Sequence, residues 1–179
     1  MQLMRRPTAR VVRLSVFESV LMAVACLVSY WLVAGLSPFV HTVSRPDDIV
    51  GGMWASIATI VVTRSSYQES LGAGISRLAA TMVSFVICQI YLIFLPFHPW
   101  ALPLLIGVSA LIPMLIGRPG DAATAAITTA VLLALAGVTP QHAWEQPALR
   151  LVDTIVGVAV GVGAAWLSRR VLGHLSAGE

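Results

Sequence analysis

Six apolar runs, each near the length of a membrane-spanning helix, constrain this chain more than any other feature. A helix that crosses the hydrocarbon core of a bilayer needs about 20 mostly apolar residues. Turn-forming residues separate the runs, which lie at 14–36, 49–63, 71–95, 100–117, 122–138 and 151–167. Because none of the runs alternates apolar and polar residues as a barrel strand does, about six transmembrane helices are predicted.

The composition agrees with a chain that lies in lipid. Of its 179 residues, 58% are hydrophobic and 11% are charged, so the charged shell of a soluble domain is missing. The cysteines Cys26 and Cys88 lie inside apolar runs, which predicts no disulfide framework and no metal site. We expect one all-α integral membrane domain over residues 1–179 and no soluble catalytic domain.

The distribution of arginine predicts the orientation, because cytoplasmic loops of membrane proteins are enriched in positive residues. With both termini inside, only Arg45 and Arg150 lie on the outer side. The cytoplasmic side then carries Arg5, Arg6, Arg10, Arg13, Arg64, Arg118, Arg169 and Arg170. A basic N-terminus before an apolar run is also typical of a signal peptide. This run is longer than a signal requires, so we expect a retained first helix.

Two motifs, an Arg-Pro-x-Asp turn and an Arg-Leu-x-x-Thr segment, each occur twice. Both recur at a separation of 73 residues, at 45–48 and 118–121 and at 77–81 and 150–154. The chain then divides into two repeats of three helices, and an odd number of crossings inverts the second repeat. Inverted repeats, about 14–95 and 100–168 here, are typical of transporters, as are short helices in matching places. The second and fifth runs are the short ones.

The segment 54–81, an apolar helix followed by a polar turn and an Arg77-x-x-x-Thr81 helix start, resembles the fusaric-acid-resistance and aromatic-acid-exporter family of bacterial inner-membrane proteins. The segment 148–157 is similar to the family's second such helix start. Ala80 and Ser84 depart from the glycines of that pattern. The resemblance covers about 49–167. It implies a multi-pass inner-membrane transporter that exports small organic anions, aromatic carboxylates in particular, and needs no cofactor.

The resemblance also bears on assembly. Larger members of that family carry two membrane halves and cytoplasmic domains, so this chain looks like a half-size member. Plant malate channels of similar architecture are dimers of six-helix units, which implies a homodimer or higher homo-oligomer here. The pair Gly157-x-x-x-Gly161 is typical of close contacts between membrane helices. We expect that pair at the subunit interface.

Arg77 and Arg150 are the first candidates for substrate binding. A charge inside a bilayer costs at least about 2.5–3.5 kcal/mol, so each should be paired or should line water. A guanidinium can hold a carboxylate at two points, which suits an organic acid. The alternative is that both arginines lie at helix starts and snorkel to the headgroups, with Arg150 paired to Asp153.

Three further residues are predicted to contact the substrate. Thr81 and Thr154 are hydroxyl residues that bond either to cargo or across a helix interface. Trp54 lies within a short apolar run and could stack on an aromatic acid, whereas the other tryptophans fall near helix ends, as in an interfacial belt.

Glu18 and Asp153 are the carboxylates within or near the apolar runs, and either could carry a proton for antiport. The structural alternatives are a pair between Glu18 and Arg13 and a pair between Asp153 and Arg150.

Other classes of function lack their signatures. The chain has no metalloprotease, phosphate-loop or serine-hydrolase motif, so we predict no enzyme and no resident metal. Its arginines are spread singly, without the basic face or aromatic platform of a nucleic-acid partner. Two alternatives to an exporter stay open. One is a passive anion channel formed by a homo-oligomer, and the other is a structural or assembly membrane subunit that transports nothing.

The arginine distribution yields a direct test of topology. Cysteines placed at His41 and His142 should react with a membrane-impermeant thiol reagent from outside the cell. The measurement is labelling in intact cells compared with labelling in inverted vesicles. Reaction of either site from the cytoplasmic side alone would overturn the orientation.

Overall fold

The computed structural model describes residues 9–36, 45–64, 66–138 and 140–176, so the predicted outer loop with His41 lies outside the described residues. Its helices are α1 (Ala9–Leu36), α2 (Arg45–Val62), α3 (Tyr67–Phe94), α4 (Ala101–Leu115), α5 (Ala122–Val138) and α6 (Gln146–Ser176). Short 3₁₀ segments precede α5 at Pro119–Asp121 and α6 at Pro140–Glu145. These ranges contain no strand, which confirms the all-α prediction.

Among the described residues, four helical segments are long and apolar enough to cross a membrane: Val12–Gly35, Tyr67–Phe94, Pro119–Val138 and Ala143–Val171. Two shorter apolar helices are Asp48–Val62 and Ala101–Leu115. The chain is therefore a multi-pass membrane protein. The expectation that the short helices occupy matching places is wrong. The 3₁₀ segment before α5 lengthens that span to 20 residues, and the second short helix is α4.

Two helices, α2 and α6, begin earlier than the apolar runs predict, and each has a proline in its first turn. Pro46 lies in the first turn of α2, and Pro147 lies in the first turn of α6. A proline is tolerated there because the first N–H groups of a helix have no intrahelical acceptor. As a result α2 has 18 residues and α6 has 31, and the Arg45-Pro46 motif begins a helix rather than a turn.

The bundle is built around α3 and α6, which pack on each other. Helix α2 also packs against α1 and α6, while α5 packs against α4 and α3. The buried apolar cluster of Cys88, Leu92, Leu132, Leu133 and Ala136 joins α3 to α5. Cys26 and Cys88 are free thiols, as predicted.

Small residues bring α2 and α6 into backbone contact. A Cβ atom added to Gly157 would lie 2.3 Å from the carbonyl oxygen of Ala55 and 2.7 Å from the Cβ of Ala58. A Cβ on Gly161 would lie 3.0 Å from the carbonyl oxygen of Thr59. Thr59 Oγ1 also donates a hydrogen bond of 3.0 Å to the carbonyl of Gly157. The expectation that this glycine pair forms a subunit interface is therefore wrong, because both glycines face α2 of the same chain.

This contact predicts a position-specific effect of one methyl group. Gly157→Ala should destabilise the protein by about 1–3 kcal/mol, because the new Cβ overlaps the α2 backbone. Gly163→Ala is the matched control, since no atom lies within 4 Å of its added Cβ. The measurement is thermal unfolding of each purified variant in mild detergent. Equal unfolding temperatures for the two variants would contradict the packing.

Candidate functional site

Five buried side chains with polar atoms meet where α2, α3 and α6 come together, halfway along α2. We call them the central cluster. Trp54 comes from α2, Arg77 from α3, and Arg150, Asp153 and Thr154 from α6. Their exposed fractions are 6% for Trp54, 6% for Arg77, 1% for Arg150, 5% for Asp153 and 0% for Thr154. The structure thus brings together five of the residues that the sequence singled out.

Trp54 links the three helices. Its Nε1 donates a hydrogen bond of 3.1 Å to Thr154 Oγ1, which in turn donates one of 2.8 Å to the carbonyl of Arg150. The Arg77 Cζ atom lies over the indole ring, 5.3 Å from its centroid, so the ring face meets a cation. Trp54 also differs in burial from Trp31, Trp100, Trp144 and Trp166, which are at least 46% exposed and whose place in an interfacial belt stays a prediction.

Arg150 and Asp153 form an ion pair within α6. Arg150 Nη1 lies 2.8 Å from Asp153 Oδ2, and both side chains are buried, so the predicted structural alternative of pairing is confirmed. Gly51 makes room for the carboxylate, since a Cβ there would lie 3.1 Å from Asp153 Oδ1. The mutual attraction of the pair offsets the desolvation of two charges between helices.

Arg77 has different surroundings. Its Nε and Nη2 atoms are buried and donate no hydrogen bond to any group in the described part of the chain, and no carboxylate there forms an ion pair with Arg77. Thr81 Oγ1, one helical turn further along α3, is also buried without a partner in that part. Arg77 lies ten residues, about 15 Å, beyond Tyr67. Arg77 therefore lies within α3 and not at its start, and its depth relative to the lipid headgroups stays a prediction.

Glu18 lies apart from the central cluster. It is exposed on α1 and lines a cleft of about 220 Å³ together with Thr63, Arg64, Glu69 and Ser168. No ion pair with Arg13 occurs among the side chains that the structure describes.

A second polar contact beside Arg77 was not predicted. Ser76 Oγ donates a hydrogen bond to Asp121 Oδ1, and Asp121 Oδ2 lies 3.0 Å from Arg118 Nε. These contacts attach the loop before α5 to α3. The recurrence of the Arg-Pro-x-Asp motif was a signal for Asp121. Nothing local in the sequence pointed to Gly51, because its role depends on a residue 102 positions later.

Arg77 in the central cluster and Thr81 beside it offer a guanidinium edge and a hydroxyl, which are groups that can hold an anion, and Trp54 adds an aromatic ring next to them. In the described ranges, no three His, Cys, Asp or Glu side chains are grouped as metal ligands.

Comparison with known proteins gives one finding that bears on these residues. A family model described as fusaric acid resistance protein-like matches residues 24–164, which include the whole central cluster. Comparisons with curated proteins and with solved structures find no match.

The buried ion pair predicts a stability defect with a specific rescue. Asp153→Asn removes the carboxylate charge beside Arg150 and should cost about 3–5 kcal/mol. The double variant Arg150→Gln, Asp153→Asn should lose less stability than Asp153→Asn alone, because it leaves no buried arginine without a counter-charge. Unfolding temperatures in detergent measure both effects. A single variant as stable as the wild type would contradict the pairing.

Proposed function

Because the chain belongs to the fusaric acid resistance protein-like family, whose members are membrane transport proteins, we propose that it exports small organic anions, aromatic carboxylates in particular. The observation that carries this proposal is the state of Arg77, a buried cation without a carboxylate partner in the described part of the chain. Such a charge between membrane helices is costly until an anion meets it. A substrate carboxylate is the group that would do so.

The atoms left without hydrogen bonds suit a carboxylate. Nε and Nη2 form one edge of the planar guanidinium, and their two N–H groups match the two oxygens of a carboxylate. Thr81 Oγ1 lies one turn along the same helix face and offers a further donor. Trp54 places an aromatic surface beside this edge, which favours aromatic acids over aliphatic ones of the same charge.

Thr154, Arg150 and Asp153 support the site from α6. The hydrogen bond from Trp54 to Thr154 holds the indole in one orientation. Proton coupling through Asp153 or Glu18 stays a prediction, as do cytoplasmic termini, the bacterial inner membrane and assembly as a homo-oligomer.

Helix packing supports two inverted repeats. Exchanging α1 with α4, α2 with α5 and α3 with α6 leaves the main packing partners unchanged: α1–α2 becomes α4–α5, and α2–α6 becomes α5–α3. Related halves of this kind let a transporter expose one site to either side in turn.

Contacts between residues support the same relation. Ser84 Oγ donates a hydrogen bond of 2.8 Å to the carbonyl of Ala125. Its counterpart at a separation of 73 residues, Gly157, lies against the carbonyl of Ala55. Ala55 and Ala125 begin similar segments, Ala-x-Ile-x-Thr-x-Val at 55–61 and at 125–131.

The proposal is tested by transport in proteoliposomes. Arg77→Gln should weaken the apparent affinity for a labelled aromatic acid by roughly ten- to a hundred-fold, because a charge-assisted contact is worth about 1.5–3 kcal/mol. Arg77→Lys should retain partial activity, since it keeps the charge and loses the two-point contact. Arg13→Gln removes an exposed arginine and is the matched control.

The amount of each variant in the vesicles is measured beside transport. Wild-type transport by a well-inserted Arg77→Gln variant would overturn the assignment of Arg77. The same assay separates the alternatives. Flux that follows the anion gradient alone indicates a passive channel, dependence on a proton gradient indicates antiport, and no flux of any organic anion by wild-type protein contradicts the proposed function.

A further inference from the structure

The two arginine segments match in sequence but differ in charge. Each has a threonine four residues after the arginine, at Thr81 in α3 and at Thr154 in α6. Three residues after Arg150 stands Asp153, which pairs with it at 2.8 Å. Three residues after Arg77 stands Ala80, whose side chain is buried and carries no charge.

An arginine and a residue three positions later lie on the same face of a helix. The Arg150–Asp153 pair therefore shows what an acid at position 80 would do to Arg77. Such an acid would form an ion pair with the Arg77 guanidinium and would take the hydrogen bonds that a substrate carboxylate could otherwise accept. With alanine at this position, the Nε and Nη2 edge is buried and has no hydrogen-bond partner in the described part of the chain.

We propose that Ala80 is a specificity-determining residue, which by lacking a carboxylate reserves Arg77 for cargo and limits that cargo to one carboxylate. This inference rests on the proposed function. The central cluster contains two arginines and one aspartate, so one substrate carboxylate balances its charges. Arg150 is already paired with Asp153, so a second carboxylate on the cargo would find no further cation in the cluster. Its negative charge would remain buried between the helices without a partner.

The two halves of the chain therefore have different tasks. The α3 segment binds the anion through Arg77. The α6 segment is held in place by its own ion pair and positions Trp54 through Thr154. The residue three positions after each arginine separates the roles of the two segments.

The first test compares two probes of similar shape on wild-type protein in proteoliposomes. Benzoate carries one carboxylate and terephthalate carries two on the same ring. Benzoate should bind with an apparent affinity at least about tenfold higher than that of terephthalate. The second carboxylate of terephthalate has no partner, and the lack of one charge-assisted contact weakens binding by on the order of tenfold or more. Equal affinities for the two probes would overturn the inference.

The second test changes position 80. Ala80→Asp should reduce the apparent affinity for benzoate by roughly ten- to a hundred-fold relative to Ala80→Asn, which has the same shape without the charge. Adding Arg77→Gln to Ala80→Asp should cause little further loss, because the arginine is already occupied. Equal benzoate affinity in folded Ala80→Asp and Ala80→Asn would overturn the inference.

These outcomes are separable from failure of the proposed function. If wild-type protein moves neither benzoate nor terephthalate nor any other organic anion, the proposed function and this inference are both wrong. If it moves benzoate and the Asp and Asn variants behave alike, only the inference is wrong. If both variants at position 80 fail to fold, the preference between the two probes on wild-type protein decides.

Discussion

A charged group placed between membrane helices costs several kcal/mol unless an opposite charge meets it, and this cost organises the centre of the protein. At Arg150, the carboxylate of Asp153 supplies the opposite charge. At Arg77 the chain offers an indole face instead, and two guanidinium nitrogens form no hydrogen bond within the described ranges. The stability of the bundle and the anion binding that we propose therefore depend on the same kind of interaction, which is complete at Arg150 and lacks a carboxylate at Arg77 in the described part of the chain.

The close contact of α2 and α6 makes this arrangement possible. Gly157 and Gly161 allow the α2 backbone to approach, and that approach brings Trp54 within hydrogen-bonding distance of Thr154. Gly51 then leaves space for the Asp153 carboxylate. Small residues act here as they commonly do between membrane helices, where van der Waals contact and hydrogen bonds replace the hydrophobic effect as the cause of association.

Several features could be predicted because they depend on short stretches of chain. Apolar runs of sufficient length led to the helices, and the spacing of Arg150 and Asp153 led to their ion pair. Trp54 was distinguished from the other tryptophans because it lies within a run rather than at its end. The family resemblance of 54–81 and 148–157 was confirmed by a match over 24–164.

Other features could not be predicted, because their physical cause lies in a distant part of the chain. The glycine pair of α6 was expected to meet another subunit, since a glycine motif shows that some helix approaches closely but not which one. The start of α3 at Tyr67, ten residues before Arg77, could not be predicted because the first residues of α3 are polar and do not belong to the apolar run.

Length, hydropathy and motif spacing are local properties, and they suffice to predict that this chain lies in a membrane, that it is helical and that it carries two related arginine segments. Helix packing was needed to show that Arg77 and Arg150 are both buried, that Trp54 lies against Arg77 and donates a hydrogen bond to Thr154, and that Asp153 pairs with Arg150. Those facts depend on which helix faces meet. Contacts between residues as many as 102 positions apart, such as Gly51 and Asp153, determine which faces those are.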